Sequence, residues 1–295
     1  MKIITAVVNN PLYIVIQYYT LKKFFQHEYE FIVFNDAKDF PDYTNFNDIT
    51  IKKEIEETCK NLNIKCINIP NDHHKILLDS STRVSNSMNF MLKFQMLNPD
   101  KYLIIDSDMF LIDYFNPEKY FDYDCAIILQ SRQNNKINYM WNGFVYFDMH
   151  KLKNISLLNW DCCEHCDTGG KMKDWISYWL LENNKHRLYT PEHIRYIETE
   201  NIPVDNLLLI RNLWSKTWDE SELPSNLSNN TDLKEFLKND TRNINNKYFC
   251  EIYDNCFLHI RASGNWMKEE RIKHIDYTQR LLNFIVKLLD CNMSL

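Results

Sequence analysis

Hydrophobic and polar positions in the first third of the chain form a regular succession of strand-like and helix-like segments. Short apolar runs alternate with stretches in which large apolar side chains recur at helical spacing. Strands are predicted at 2–8, 31–36, 65–70 and from 101, and helices at 13–25, 50–62 and about 81–97. This alternation predicts an α/β fold with a mixed, mainly parallel sheet and helices on both of its faces.

The pattern is less regular after residue 117. Further strands are predicted at 125–130 and 143–149, and a helix at 174–183. Polar residues dominate 215–247, which predicts a mobile insertion or long surface loop. Apolar residues at helical spacing within 269–295 predict a C-terminal amphipathic helix. Its polar face carries both charge signs and no basic cluster, so we expect it to dock on the protein's own core and not on a membrane.

The charge, the N-terminal apolar run and the cysteine content argue against nucleic-acid-binding, membrane-spanning and secreted proteins. The chain has 34 basic and 40 acidic residues and a formal charge of −6, so it has no cationic field suited to nucleic acid. The first apolar run is broken at Asn9, Asn10 and Pro11, which predicts neither a signal peptide nor a transmembrane segment. The nine cysteines are odd in number and scattered, which favours a reducing compartment. We therefore expect a cytoplasmic protein.

Glycine is unusually scarce. Average usage of about 7% would give roughly 20 glycines in a chain of this length, yet there are four: Gly143, Gly169, Gly170 and Gly264. Neither a Walker loop nor a Rossmann glycine fingerprint can be built from these four. A nucleotide diphosphate would have to be neutralised by a metal ion or by side-chain cations instead. Each remaining glycine is expected to mark backbone with no room for a Cβ.

Two acids follow the predicted strand that starts at residue 101. Ligands of open α/β sheets bind beyond the carboxyl ends of strands, and Asp106, Ser107 and Asp108 lie at such an end. The i, i+2 spacing sends both carboxylates to one side, where two hard oxygen ligands suit Mg²⁺ or Mn²⁺. The alternative is that the two aspartates only cap a turn from strand to helix.

Five segments in this order resemble nucleotide-sugar-dependent glycosyltransferases of the GT-A fold, and family 8 and similar retaining enzymes in particular. They are AVVNN at 6–10, IVFND at 32–36, LIIDSDMF with its Asp-x-Asp motif at 103–110, WNGFVYFDM at 141–149 and FLHIRASGNWMK at 257–268. The likeness spans residues 3–268. The last segment departs from the family pattern, because the Pro before Trp is absent and Lys268 follows Trp266 instead of preceding it.

The resemblance implies a set of ligands for metal and donor. Asp106, Asp108 and His259 would hold Mn²⁺ or Mg²⁺. The implied donor-binding residues are Ala6, Asn9 and Asp36 near the uridine base and ribose, Arg83, Lys93 and Lys268 near the phosphates or sugar, and Ser107 and Gly264 beside them. Residues 1–113 would then be the nucleotide-sugar and metal-binding half of a single GT-A domain spanning 1–295, and 114–268 the acceptor-binding half.

Three further polar residues are the candidate catalytic residues, which would contact the sugars. Asn142 would face the transferred sugar. Asp167 or Asp174 would bind sugar hydroxyls or, in an inverting mechanism, take the acceptor proton. The acceptor would be a saccharide or another hydroxyl compound, and the terminal helix leaves a homodimer open.

Less specific interpretations stay open for several of these residues. His259 could be a satisfied core histidine, Arg83 and Lys93 a solvated helix face, and Asn142 with Gly143 a tight turn. A cluster of three thiols and an imidazole resembles a zinc site, although adjacent ligands rarely fit one tetrahedron: Cys162, Cys163, His165 and Cys166.

The sequence therefore predicts a metal-dependent glycosyltransferase that uses a nucleotide sugar, with a UDP-sugar as the expected donor. Two alternatives remain. One is a phosphatase of the haloacid dehalogenase type, in which the first of two acids is the nucleophile. The other is a catalytically inactive, carbohydrate-binding protein of glycosyltransferase type.

Overall fold

A computed structural model describes residues 1–38, 50–74, 78–132, 137–186, 188, 200–262 and 271–290. The strands are β1 (Lys2–Val7), β2 (Glu30–Asn35), β3 (Lys65–Asn68), β4 (Lys101–Ile105), β5 (Met109–Leu111), β6 (Cys125–Ile127), β7 (Leu129–Arg132), β8 (Ile137–Met140), β9 (Phe144–Asp148), β10 (Ile202–Val204), β11 (Leu207–Leu209), β12 (Asn212–Leu213), β13 (Glu251–Tyr253) and β14 (Phe257–His259). The helices are α1 (Pro11–Phe24), α2 (Ile51–Asn61), α3 (Ser80–Leu97), α4 (Met172–Glu182), α5 (Thr231–Lys238) and α6 (Arg271–Leu289).

Within the described residues, eight strands form one mixed sheet in the order β10-β11-β6-β9-β4-β1-β2-β3. The pairs β1–β2, β1–β4, β2–β3 and β6–β11 are parallel. Strand β9 runs antiparallel between β4 and β6, and β10 is an antiparallel edge strand. The predicted α/β class, with a mainly parallel sheet flanked by helices, is confirmed.

Alternate residues of the central strands enter two separate hydrophobic clusters, as the two-residue period of a strand requires. In β1, Ile3 belongs to one cluster and Ile4 to the other. Helices α1, α2 and α6 pack on the first face, and α3 and α4 on the second. The expectation of helices on both faces therefore holds.

A small second sheet lies beside the end of β4. It has the order β12-β13-β14-β5 and is antiparallel throughout. Strand β5 follows β4 directly after the two acids and pairs with β14, so Met109 lies opposite His259. This pairing connects the acid-bearing turn to a part of the chain about 150 residues further on.

The structure differs from the predicted loop at 215–247. Trp218 is fully buried there, and α5 buries Leu233 and Leu237 on one side. Asn230 caps the helix by accepting a hydrogen bond from the amide of Leu233 at 2.9 Å. The loop prediction was wrong because two leucines at i, i+4 spacing are enough to fix a short helix to the core despite the polar residues around them.

The predicted C-terminal helix is confirmed as α6, and its buried side is part of the first hydrophobic cluster. Leu281, Phe284 and Ile285 are buried there. No helix in the described part of the chain is long and apolar enough to cross a membrane.

Candidate functional site

The turn between β4 and β5 presents the two predicted acids. The amide of Asp106 donates to the carbonyl of Gly143 at 2.8 Å, and the amide of Met109 donates back to the carbonyl of Asp106 at 3.1 Å. Gln17 of α1 supports this turn from below, because its side-chain amide donates to the carbonyls of Asp106 (2.8 Å) and Met109 (3.0 Å). The two carboxylates are thus held on backbone that is fixed from two sides.

The pairing of β5 with β14 brings His259 to these acids. The amide of Ile260 donates to the carbonyl of Asp108 at 2.9 Å. His259 Nε2 then lies 3.0 Å from Asp108 Oδ1 and 3.9 Å from Asp106 Oδ2. One ligand atom from each of the three side chains lies within 4.8 Å of the others, so residues from two distant parts of the sequence converge on one point.

Glu251, on the neighbouring strand β13, holds the other side of the imidazole. Its Oε2 is 2.7 Å from His259 Nδ1 and accepts a hydrogen bond from the hydroxyl of Tyr253 at 2.6 Å. Its Oε1 accepts from the amide of Ser215 at 3.1 Å. A carboxylate bonded to the far nitrogen of a histidine fixes the ring's orientation and tautomer, so Glu251 aims Nε2 at the two aspartates.

The acidic side chains around His259 favour a positive charge between them. Burial would lower the pKa of His259, but Asp108 and Glu251 on its two sides raise it to about 10. Burial and the neighbouring charge of Asp108 raise the pKa of Asp106 to about 6. Three acids around one imidazole carry more negative charge than a single proton neutralises. The donor set of two carboxylates and one imidazole fits a divalent cation such as Mn²⁺, since carboxylates are ligands that suit Mg²⁺ and Mn²⁺.

The three residues line a cleft of about 480 Å³, a volume within the usual range of small-molecule sites. Its wall comes from the carboxyl ends of β1 and β4, the first turns of α3 and the second sheet. Several residues predicted for donor or sugar lie on this wall: Ala6, Asp36, Ser107, Asn142 and Asp167. The structure therefore brings these five together with Asp106, Asp108 and His259.

Other predicted residues lie elsewhere. Four of the predicted residues that the structure describes do not line the cleft: Asn9, Arg83, Lys93 and Asp174. Asn9 is buried near the start of α1, while Lys93 on α3 and Asp174 on α4 are exposed. Gly264 and Lys268 are outside the described residues, so their donor roles stay predictions.

The cleft also has two cationic residues that the sequence analysis did not single out, together with the tryptophan that begins the segment 141–149. Arg132 and Arg261 lie on its wall and supply positive charge. Trp141 stacks on Tyr253 with ring centroids 4.7 Å apart and contacts the His259 ring edge-to-face at 5.4 Å. These residues give the cleft both an anion-attracting side and a flat apolar surface.

The scarce glycines lie where side chains do not fit. A Cβ on Gly143 would come within 2.3 Å of the Trp141 ring, and one on Gly169, whose φ is +88°, within 2.3 Å of the carbonyl oxygen of Met140. A Cβ on Gly170 would come within 2.7 Å of the Cys163 amide nitrogen. The expectation that each glycine marks backbone without room for a Cβ is confirmed for these three.

The cysteine cluster does not form a set of metal ligands. Cys162, Cys163 and Cys166 are free thiols, and the His165 side chain is 59% exposed and beside Glu164. Within the described parts of the chain, these four side chains do not bring three ligand atoms to one point.

Comparisons with known proteins find similarity in structure only. No family model matches the sequence, and no curated protein matches it. Among solved structures, the galactosyltransferase LgtC in complex with donor and acceptor sugar analogs is 15% identical, with 64% of this chain and 67% of that chain covered and a TM-score of 0.37. An active-site mutant of LgtC is 14% identical, with 66% and 68% covered and a TM-score of 0.38. At this level, the likeness carries no information on activity.

Proposed function

We propose that this protein is a metal-dependent glycosyltransferase of the GT-A type, which transfers a sugar from a nucleotide-sugar donor, a UDP-sugar in the first instance, to a saccharide or another hydroxyl acceptor. One observation carries the proposal. Asp106 and Asp108 come from the turn between β4 and β5, and His259 comes from the distant strand β14, yet their ligand atoms lie within 4.8 Å of one another on the wall of a cleft of about 480 Å³.

Different residues of the cleft would bind the metal ion and the phosphates of the donor. Asp106, Asp108 and His259 would hold Mn²⁺ or Mg²⁺, which when bound supplies Lewis-acid stabilisation of the charge on a diphosphate leaving group. Arg132 and Arg261 face the same cleft and would add side-chain cations to the phosphates. This arrangement needs no glycine cradle, in agreement with a chain that has only four glycines.

The remaining wall residues would bind the two ends of the donor. Ala6 at the end of β1 leaves space beside the sheet for a flat base. Asn142 and Asp167 also line the cleft, where an amide and a carboxylate can hydrogen-bond sugar hydroxyls. Whether Asp167 also accepts the acceptor's proton depends on the stereochemical course, and product anomer analysis distinguishes retention from inversion.

The test compares Asp108→Asn with the exposed control Asp122→Asn. A panel of nucleotide sugars is first screened by thermal shift with and without Mn²⁺, because a ligand that binds only the folded state raises its melting temperature. Hydrolysis of the stabilising donor is then measured. We expect Asp108→Asn to lower Mn²⁺-dependent turnover by about a hundredfold or more and Asp122→Asn to leave it unchanged.

Three outcomes would count against the proposal. Equal turnover in both variants would remove the metal role of Asp108. Binding of a nucleotide sugar without turnover under any condition would favour an inactive carbohydrate-binding protein. Release of phosphate from a chromogenic phosphate ester, with no turnover of nucleotide sugars, would favour a phosphatase of the haloacid dehalogenase type.

A further inference from the structure

A second group of potential ligands lies at the neighbouring strand ends. Asp36 follows β2, and His73 with His74 ends a short 3-10 helix, Asn71–His74, that follows β3. Strands β2 and β3 are parallel, so their carboxyl ends meet at the same edge of the sheet. The amide of Ile69 donates to the carbonyl of Asn35 at 2.9 Å and keeps the two chain segments together beyond the strands.

The three side chains converge on one carboxylate oxygen. Asp36 Oδ1 lies 2.9 Å from His73 Nε2 and 3.2 Å from His74 Nε2, and one ligand atom of each lies within 4.8 Å of the others. The imidazole centroids are 4.2 Å apart. Each of these side chains is at most 10% exposed, so water does not readily compete for the same atoms.

These short distances are not accompanied by hydrogen-bond alignment. Within the described residues, Asp36 Oδ1, His73 Nε2 and His74 Nε2 are buried and have no hydrogen-bond partner of acceptable geometry. The other oxygen of Asp36 does have one, since it accepts from the Ser87 hydroxyl at 2.6 Å. Buried polar atoms without partners are rare and costly. Three such atoms, which are close enough for ion pairing but not aligned for hydrogen bonding, are arranged as the ligands of one common ion would be.

We propose that Asp36, His73 and His74 form a second metal site, which takes a borderline transition-metal ion of the Zn²⁺ class. Two imidazoles and one carboxylate form a donor set that zinc enzymes use. Zinc binds such nitrogen and oxygen ligands at about 2.0–2.2 Å, so neighbouring ligand atoms around a tetrahedral ion lie about 3.3–3.6 Å apart. The 2.9 and 3.2 Å separations are shorter than this by a few tenths of an ångström, so small side-chain movements would bring the three atoms to the spacing of zinc ligands.

The proposed site differs from the Asp106 site in its ligand types and in the elements that a bound ion would join. The Asp106 group has two carboxylates and one imidazole, whereas this group has two imidazoles and one carboxylate. Through Ser87, Asp36 also contacts α3, so an ion here would join the end of β2, the turn after β3 and α3. Asp36 would then be a metal ligand on the cleft wall, a role different from the contact with uridine that the family resemblance implies.

The test measures zinc binding and does not depend on enzymatic activity. Asp108→Asn is used as the background, so that the first group is weakened, and the protein is dialysed against Zn²⁺ and its bound metal counted. We expect about one Zn²⁺ per chain in this background. Adding His73→Gln should weaken that binding by about a hundredfold or more, whereas adding the exposed control His150→Ala should not change it.

A second variant and a second measurement guard against misfolding. His74→Gln is expected to behave as His73→Gln does, and circular dichroism of each variant reports whether the fold is kept. Binding of Co²⁺ in place of Zn²⁺ gives a visible absorption band that reports nitrogen ligands, and this band should be lost in both variants. Absence of Zn²⁺ binding in the Asp108→Asn background, or equal binding with and without His73→Gln in folded protein, would overturn the proposal.

Discussion

The direction in which one imidazole points decides what the acid pair can bind. The pairing of β5 with β14 brings His259 to Asp108, and Glu251 holds Nδ1 at 2.7 Å from the opposite side. Glu251 is 1% exposed, and its carboxylate contacts the His259 ring at 2.7 Å and Arg261 at 3.7 Å. We regard it as a positioning residue.

Glu251→Gln tests that role. The amide keeps the shape of the side chain but removes its charge and lets it present a donor to Nδ1, so the ring loses its fixed tautomer. We expect the affinity for Mn²⁺ to fall about ten- to hundredfold, measured by titration calorimetry on folded protein. Glu164→Gln, at an 88% exposed carboxylate, is the matched control. An unchanged Mn²⁺ affinity in Glu251→Gln would show that Glu251 only fills space.

The site residues that could be predicted from the sequence are those whose immediate neighbours form a recognisable pattern. Asp106 and Asp108 end an apolar run, and His259 belongs to a motif. Glu251 was not predicted, because its partner His259 lies eight positions further along the chain, on the other strand of a hairpin. A signal did exist: Asp254 and Asn255 both adopt positive φ in the turn between β13 and β14, and such residues between two apolar runs predict a hairpin. Its register places Glu251 opposite His259.

At the scale of elements, helix α5 shows how little apolar surface is needed to order a polar segment. Leu233 and Leu237 are fully buried, and Phe236 stacks on Phe284 of α6 with ring centroids 5.1 Å apart. The helix therefore connects the 215–247 segment to the C-terminal helix.

Leu233→Ala is expected to lower the free energy of unfolding by about 2–5 kcal/mol, because it removes buried methyl groups and leaves a cavity. Glu235→Ala, an exposed position on the same helix, should change it by no more than about 0.5 kcal/mol. Urea denaturation followed by circular dichroism measures both. If this segment were a loose surface loop, the two substitutions would have equally small effects.

Long elements could be predicted from the sequence, whereas short strands that pair with distant parts of the chain could not. Helices α1, α2 and α3 and strands β1, β2 and β4 were predicted within a few residues, since each carries enough periodic positions to show its pattern. The strands of the second sheet have two or three residues each. A run of that length shows no period, and its partner strand lies too far along the chain for local sequence to indicate it.

At the scale of the whole molecule, one partly buried ion pair joins several parts of the C-terminal region. Asp240, after α5, accepts from Arg242 Nε at 2.9 Å and Nη2 at 2.7 Å. The Arg242 guanidinium lies over the rings of Phe249 and of Tyr277 on α6 and donates to the carbonyl of Arg261 at 3.0 Å. Burial would raise the pKa of Asp240, but Arg242 holds it below its usual 3.8.

Asp240→Asn is therefore expected to destabilise the protein in a pH-dependent way. A carboxyl whose folded-state pKa is lowered adds stability above its unfolded pKa and loses it as the pH falls through the lower folded value. At neutral pH we expect a loss of about 2 kcal/mol, since Arg242 is left without its charge partner. Below pH 3.8 the difference from the unaltered protein should shrink. Urea unfolding across this range measures it, and a difference that stays constant with pH would contradict the assignment.

Because β5 pairs with β14, the proposed ion-binding group of Asp106, Asp108 and His259 is complete only in a chain that extends through β14. Asp108 and His259 are 151 positions apart, and Glu251 belongs to the later hairpin. A fragment that ended before β13 would retain both aspartates and every parallel pair of the large sheet, yet it would lack the imidazole and the carboxylate that orients it. Premature termination anywhere upstream of that hairpin would thus abolish the group entirely, whereas most single substitutions would only weaken it.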